Sequence, residues 1–496
     1  MDDSLFNPRS VAVVGASPHF VSGGTFFLRA LLAAEFPKER LFPINPKHEE
    51  MYGLKVYPSL QSVPHPVDYV IVIVPKDATF KVMEDCVEKK VKLVSCFTSG
   101  FSEIGNKEDE RRLISIAKKG GVRVLGPNCM GLCVPKNRLV FDTGIESGEE
   151  WAGNISIISQ SGGNADVMII IGNGIGLKFN KAVSYGNGSD INADELLEYF
   201  KNDPQTNIIL QYLEGFKTIE QGRNYLKTLR ETTLKKPVII FQGGTTAIGK
   251  RSIFSHTGSI SGDNRVIEGA FKQAGAIMVK QGLHHLLYTA LLISCFQKSN
   301  KLFKVGPNLG TILGGGGNNV YVADICSKIG LNFPAFDEEM NEWLKKNVGE
   351  VGTVLGNPID MNAGMSGYKT AIKIMKLMDK IDQIDVITYE TDFDWWLVSA
   401  KIRQKLDLYK EFDFKGLMES IMDTNVKTLI RNIKKIQKPV ILISSQTFYD
   451  ADIVSKRNEL EETFRKADIP IINDMATMAT VLKYLIDYKE YILRAK

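Results

Sequence analysis

Six histidines occur in 496 residues, and His256 stands in a loop of small and hydroxyl-bearing residues, RSIFSHTGSISG (251–262). That loop follows a predicted strand and a glycine turn. No hydrophobic period surrounds His256, so it is not a core histidine. A neutral imidazole whose Nδ1–H is held by a carboxylate has a fixed tautomer and presents Nε2 as a nucleophile. Glu214 suits the holding role: in IILQYLEGF it lies just past a predicted strand's C-terminal end, where ligand sites of open α/β sheets gather. The other histidines have plainer settings. His284 and His285 begin a predicted apolar helix, HHLLYTALL, and His65 is flanked by prolines.

Four glycine loops offer anion chemistry of different specificity. AVVGASPHFVSGG places Gly15 at a strand end before a helix, where a helix N-terminus receives phosphate. A dinucleotide site would show G-x-G-x-x-G and an acidic residue about twenty positions on. Neither is present. The second strand ends in PINPKHEE instead, and Lys47 favours a phosphorylated ribose or a pyrophosphate over NAD. SQSGGNAD (159–166) opens a predicted helix with Ser161, Gly162 and Gly163. Free N–H groups and a hydroxyl there suit an anion, and they suit an ordinary N-cap equally well. GTTAIGKR (244–251) nearly matches a P-loop, but Arg251 stands where the metal-binding hydroxyl belongs. GGGGNN (314–319) has no charged companion in the local sequence, which favours close strand–helix packing over ligand binding.

The elements that must position these residues alternate as short β-branched runs and helical patterns, which predicts doubly wound α/β domains. The reading is a Rossmann-like domain over 1–140 and two flavodoxin-like domains over 150–297 and 302–496. Runs such as YVIVIV suit strands of a parallel sheet buried on both faces. A net charge of +4, from 61 basic and 57 acidic side chains, is too even for a nucleic-acid footprint or a membrane-surface protein. The six cysteines lack zinc-ligand spacing and read as reduced thiols of a cytoplasmic protein. MDDSLFNPRS shows no signal-peptide pattern. No metal site is expected.

Taken together, VAVVGAS, PINPK, YGLKVYPSL, GPNCMGL, SQSGG, YLEG, SHTGSISG and GNPID resemble, in order over about residues 7–363, the α subunit of NDP-forming acyl-CoA synthetases. The nearest group is the ADP-forming acetyl-CoA synthetases, relatives of succinyl-CoA ligase. A fainter echo is IPIINDMATMATVLKYLI (469–486). The resemblance implies a CoA-binding Rossmann-like domain followed by two flavodoxin-like domains. It implies an ADP-forming acid–CoA ligase working through an acyl phosphate and a phosphohistidine at His256, with Glu214 as its orienting group. Ser161, Gly162 and Gly163 would cradle the phosphate. Gly15, Ala16, Ser17, Pro46, Lys47, Pro75 and Ser99 would fall in CoA-contacting loops, and Asn128 near the reacting centre. No ATP-grasp pattern occurs in the chain, so ATP/ADP and Mg²⁺ would sit on a separate ATP-grasp β subunit, in a hetero-oligomer such as α2β2. Gln242 stands where family members often carry lysine, and the stretch with Trp395 and Trp396 does not align. Two rivals are a CoA- or acyl-CoA-binding protein without ligase chemistry and a nicotinamide-dependent oxidoreductase. Retention of His256 and Glu214 speaks against the first, and the missing fingerprint with Lys47 against the second.

Overall fold

A computed structural model describes all residues except 19–22, 250–263, 349–353, 362–366, 392, 406–412 and 496. His256 therefore lies outside the described residues. The chain divides into two compact units, Met1–Leu287 and Tyr288–Lys496.

The first unit holds two main sheets. One is built from β1 (Val11–Val14), β2 (Leu41–Ile44), β5 (Tyr69–Val72), β6 (Leu93–Cys96) and β7 (Arg123–Leu125), in the order β2-β1-β5-β6-β7. All its pairings are parallel. The first four strands are buried along their whole length, as their apolar β-branched runs require of a sheet covered on both faces. The covering helices include α1 (Gly23–Ala33), α2 (Lys76–Glu88) and α3 (Lys107–Lys119). β3 (Glu50–Met51) and β4 (Leu54–Lys55) form a small antiparallel pair beside it.

The second sheet contains β8 (Gly131–Cys133), β9 (Ile155–Ser159), β10 (Phe179–Ser184), β11 (Ile208–Leu213), β12 (Val238–Gln242) and β13 (Ile277–Val279). Its order is β13-β12-β11-β9-β10-β8. The five parallel strands follow the 2-1-3-4-5 winding of a flavodoxin-like fold, and β8 adds an antiparallel edge on β10. Helices α4 (Gly162–Gly174), α5 (Ala193–Asn202) and α6 (Ile219–Thr233) pack on it.

On α4 the half-buried Asp166 has a buried Oδ1 with no hydrogen-bond partner among the described residues. Burial first, then Asp142 nearby, push its carboxyl up to about 6. The unfolded chain releases this proton at lower pH, so the group lowers stability as pH rises from about 4 to about 6. Asp166→Asn is expected to raise unfolding stability near pH 7 by about 1 kcal/mol, after discounting for solvent screening, and to add nothing near pH 4. Denaturant titrations at the two pH values check this.

The second unit carries β14 (Leu309–Leu313), β15 (Ile359–Asp360), β16 (Val386–Glu390), β17 (Val440–Ile443) and β18 (Ile471–Ile472), all parallel, in the order β15-β14-β16-β17-β18. This repeats the flavodoxin-like winding. The fold is thus α/β, with a Rossmann-like sheet followed by two flavodoxin-like doubly wound sheets. The unaligned stretch forms helices Phe393–Gln404 and Phe414–Ile433. Trp396 packs against the core of this unit, whereas Trp395 is exposed and meets the Phe448 ring edge-on at 5.2 Å.

Candidate active site

Five parallel strands end at one edge of the first sheet, and each end carries candidate residues. Gly15, Ala16 and Ser17 follow β1, Pro46 and Lys47 follow β2, Pro75 follows β5, Ser99 follows β6 and Asn128 follows β7. The chain winds outward in opposite directions from β1 and β5, so the crevice between these strand ends is the topological switch point. Gly15 has φ +92°, and a Cβ there would overlap the Ile73 carbonyl across that crevice. Only glycine lets the two strand ends approach so closely.

Hydrogen bonds between neighbouring turns hold this edge together. Asn45 Nδ2 donates to the Ala16 carbonyl at 2.6 Å, and Asn45 Oδ1 accepts from the Lys47 amide at 2.8 Å. Thr98 Oγ1 donates to the Val74 carbonyl at 2.7 Å, and the Asn128 amide donates to the Thr98 carbonyl at 3.1 Å. Lys47 and Ser99 are left exposed on this frame. Asn45 and Thr98 carry much of the geometry, yet neither stands out in the sequence: an asparagine beside prolines reads as a plain turn residue.

The second sheet gathers its candidates at its own switch point, between β9 and β11. Ser161 is the N-cap of α4, its Oγ accepting from the Asn164 amide at 3.3 Å. The capping role that the sequence left open is therefore filled. A side chain at Gly162 would press on Met130, whereas one at Gly163 would meet nothing within 4 Å. Glu214 follows β11 and is buried, at 5% exposure. Its Oε1 accepts from the Tyr212 hydroxyl at 3.1 Å. Its Oε2 is buried with no partner among the described residues. Burial, and then the Glu214 charge beside it, hold the Tyr212 phenol above its usual pKa, so it stays a neutral donor.

Gln160 joins the two strand ends, and the sequence reading missed it. Its Oε1 accepts from the Glu214 amide at 2.9 Å and the Gly215 amide at 3.3 Å, and its own amide donates to the Tyr212 carbonyl at 3.1 Å. Its place inside SQSGG was the available signal. Gln242, at the end of β12, is buried in the same sheet. A buried carboxylate oxygen without a donor among the described residues, beside the capped start of a helix, can hold an imidazole N–H while the helix end faces an anion.

One expectation is corrected. The GGGGNN loop does not serve close packing: a Cβ at Gly315 or Gly317 would meet nothing within 4 Å. Gly315 is needed instead for its φ of +91°. Carboxylates also accompany the loop, since Asp360 Oδ1 accepts from the Gly315 amide at 2.8 Å and Glu390 Oε2 from Asn318 Nδ2 at 2.6 Å. Both come from strand ends remote in sequence.

The described cysteines are free and buried. Among the described residues no His, Cys, Asp or Glu group is placed to hold a metal ion, and no helix is long and apolar enough to cross a membrane.

Family models match in two places: a CoA binding domain over residues 9–135 and a succinyl-CoA ligase like flavodoxin domain over 152–293. The chain is 34% identical over 396 residues to acetate–CoA ligase [ADP-forming] II subunit alpha of Pyrococcus furiosus, covering 78% of this chain and 81% of that one. The chain belongs to the NDP-forming acyl-CoA synthetase family. An acetate–CoA ligase [ADP-forming] of Methanocaldococcus jannaschii is 35% identical over 365 residues, 71% of this chain. The chain spans about half of that relative's length, 48%. Among solved structures, Ca. Korarchaeum cryptofilum dinucleotide forming acetyl-coenzyme A synthetase 1, in complex with phosphate and ADP, superposes with a TM-score of 0.77. It is 28% identical, with 99% of this chain and 98% of that one covered. The match to the CoA binding domain falls on the sheet whose strand ends form the first crevice, which supports CoA use by this chain.

Proposed function

We propose that this chain is the α subunit of an ADP-forming acid–CoA ligase that interconverts acyl-CoA, ADP and phosphate with a carboxylic acid, ATP and CoA. The observation that carries the reading is Glu214: a buried carboxylate at the switch point, with Oε2 unpartnered among the described residues, in the sheet whose β12 leads into the His256 loop. In the first step a phosphate oxygen attacks the thioester carbonyl, the C–S bond breaks, and CoA leaves as the thiol with the phosphate's proton. The acyl phosphate then meets His256. Nε2 attacks phosphorus, the P–O bond to the acyl group breaks and the carboxylate departs. Glu214 accepts the Nδ1–H hydrogen bond and balances the imidazolium charge. Ser161, Gly162 and Gly163 offer the start of α4 to the phosphoryl oxygens. Asn128 borders the reacting carbonyl. The phosphoryl group then passes from His256 to ADP on a partner ATP-grasp β subunit that also binds Mg²⁺.

CoA would lie across the first crevice, held by the Gly15–Ala16–Ser17 turn, Pro46, Lys47, Pro75 and Ser99. The glycine turn and the strand-end frame fit an extended, phosphorylated ligand lying against backbone, and exposed Lys47 supplies positive charge. Lys47→Glu is expected to weaken CoA binding by about 1.5–3 kcal/mol, the range for charge-assisted hydrogen bonds. Dephospho-CoA should lose less if Lys47 reads the 3′-phosphate. Calorimetric titrations of wild type and variant with CoA, dephospho-CoA and NAD check this. Equal CoA affinity removes Lys47 from the site, and preferential NAD binding overturns the CoA reading.

A further inference from the structure

A cleft of about 860 Å³ opens between α3 and the loops after β10 and β11, away from the β1/β5 crevice. That volume lies within the usual range for small-molecule sites. One wall is a face of α3 carrying Lys107, Arg111, Lys118 and Lys119, and the other carries Lys217 at the start of α6. The lone carboxylate among the lining residues is Glu110.

Glu110 is already engaged. It accepts from Lys217 Nζ at 2.5 Å, Ser102 Oγ at 2.6 Å and Asn187 Nδ2 at 2.9 Å. Lys107, Lys118 and Lys119 form no ion pair with described residues, and Arg111 pairs with Glu108 one turn away on its own exposed helix face. Like charges so placed repel one another unless an anion lies between them. The 13 residues of α3 extend about 20 Å, long enough to seat a chain of phosphates but too short for a nucleic-acid track. Arginine's fork and the positive end of α6 both suit phosphate oxygens.

A second observation marks the inner end. Asn187 is 2% exposed, and its Oδ1 is buried without a partner among the described residues. It lines a narrow recess that shares Gly188, Lys217 and Gln221 with the cleft and reaches Gln160 and Gly215. The recess leads from the cleft toward the loop that carries Glu214.

We infer that this cleft binds a polyphosphate anion, either free or as the chain of a nucleoside triphosphate, at a site separate from the CoA crevice. The test is calorimetric titration of the full chain with metal-free tripolyphosphate and, in parallel, metal-free ATP. One-to-one saturable binding is expected. Lys118→Glu combined with Lys119→Glu, both exposed positions, should weaken it at least about tenfold and leave CoA affinity unchanged. Lys47→Glu should leave tripolyphosphate binding intact. ATP binding at least about tenfold tighter than tripolyphosphate assigns the nucleoside a place beside Ile114, and equal affinities assign the phosphate chain alone. Absence of saturable binding by either probe overturns the site, as does binding that survives the double reversal or disappears with Lys47→Glu. The readout is binding and not turnover, so its failure leaves the ligase reading untouched.

Discussion

With His256→Asn in place, the chain takes up no acid-labile, base-stable phosphate label from acyl-CoA and labelled phosphate in the presence of its nucleotide-binding partner. Turnover falls by at least about 10³-fold, as expected for loss of a covalent nucleophile. Glu214→Gln keeps the size of the side chain and its Tyr212 contact but removes the charge, and costs on the order of 10²–10⁴-fold, the range for losing a histidine's orienting carboxylate. The physical reason lies in the burial of Glu214: a carboxylate with one oxygen bonded to a neutral phenol and the other without a donor among the described residues gains most from an imidazole that becomes positive as phosphorus is attacked. Phosphate label and turnover are measured on the same samples. Full turnover by His256→Asn ends the phosphohistidine mechanism, and unchanged label in Glu214→Gln ends the orienting role.

The second large effect is all-or-none. Purified chain supplied with Mg-ATP, CoA and a panel of carboxylic acids forms no acyl-CoA, and addition of an ATP-grasp subunit starts the reaction. Transfer between histidine and nucleotide needs a metal and a cradle for the β- and γ-phosphates. The glycine–lysine segment 244–251 lacks the metal-binding hydroxyl. A related chain from Pyrococcus furiosus is itself named a subunit, which supports the division of labour. Robust ATP-dependent synthesis by the isolated chain would falsify the split-subunit reading. Binding of ATP without synthesis is the behaviour expected of the α3 cleft and leaves this prediction standing.

Much of the architecture was legible in the sequence because parallel strands buried on both faces leave unbroken apolar runs, such as YVIVIV and ISII, between helical patterns. Candidate residues could be proposed because ligand sites of open α/β sheets gather at the ends of such runs, which is where Gly15, Lys47, Ser161 and Glu214 stand. What stayed hidden depends on neighbours distant in the chain. Gln160 matters through amides 54 and 55 positions away, and Asn45 through a carbonyl 29 positions back. The carboxylates beside Gly315 and Asn318 come from 45 and 72 residues further on, and local composition misread that loop as packing. A short strand such as β8 carries no pattern of its own, and its pairing is set by the exposed edge of β10.

That last strand limits how the molecule can be recombined. β8, Gly131–Cys133, belongs by hydrogen bonding to the second sheet although it directly follows the last turn of the first. Arg123 at the start of β7 reaches Asp190 and Glu195, and the Ser189 and Ile191 amides donate back to Gly126 and Val124. A chimaera that grafts a foreign cofactor module by cutting at residue 130 would keep β8 on its own sheet but leave the Asp190 and Glu195 carboxylates without the Arg123 guanidinium. Residues 1–287 form one compact unit, so point substitution in the strand-end turns disturbs fewer of these cross-sheet bonds than a swap of the first sheet alone.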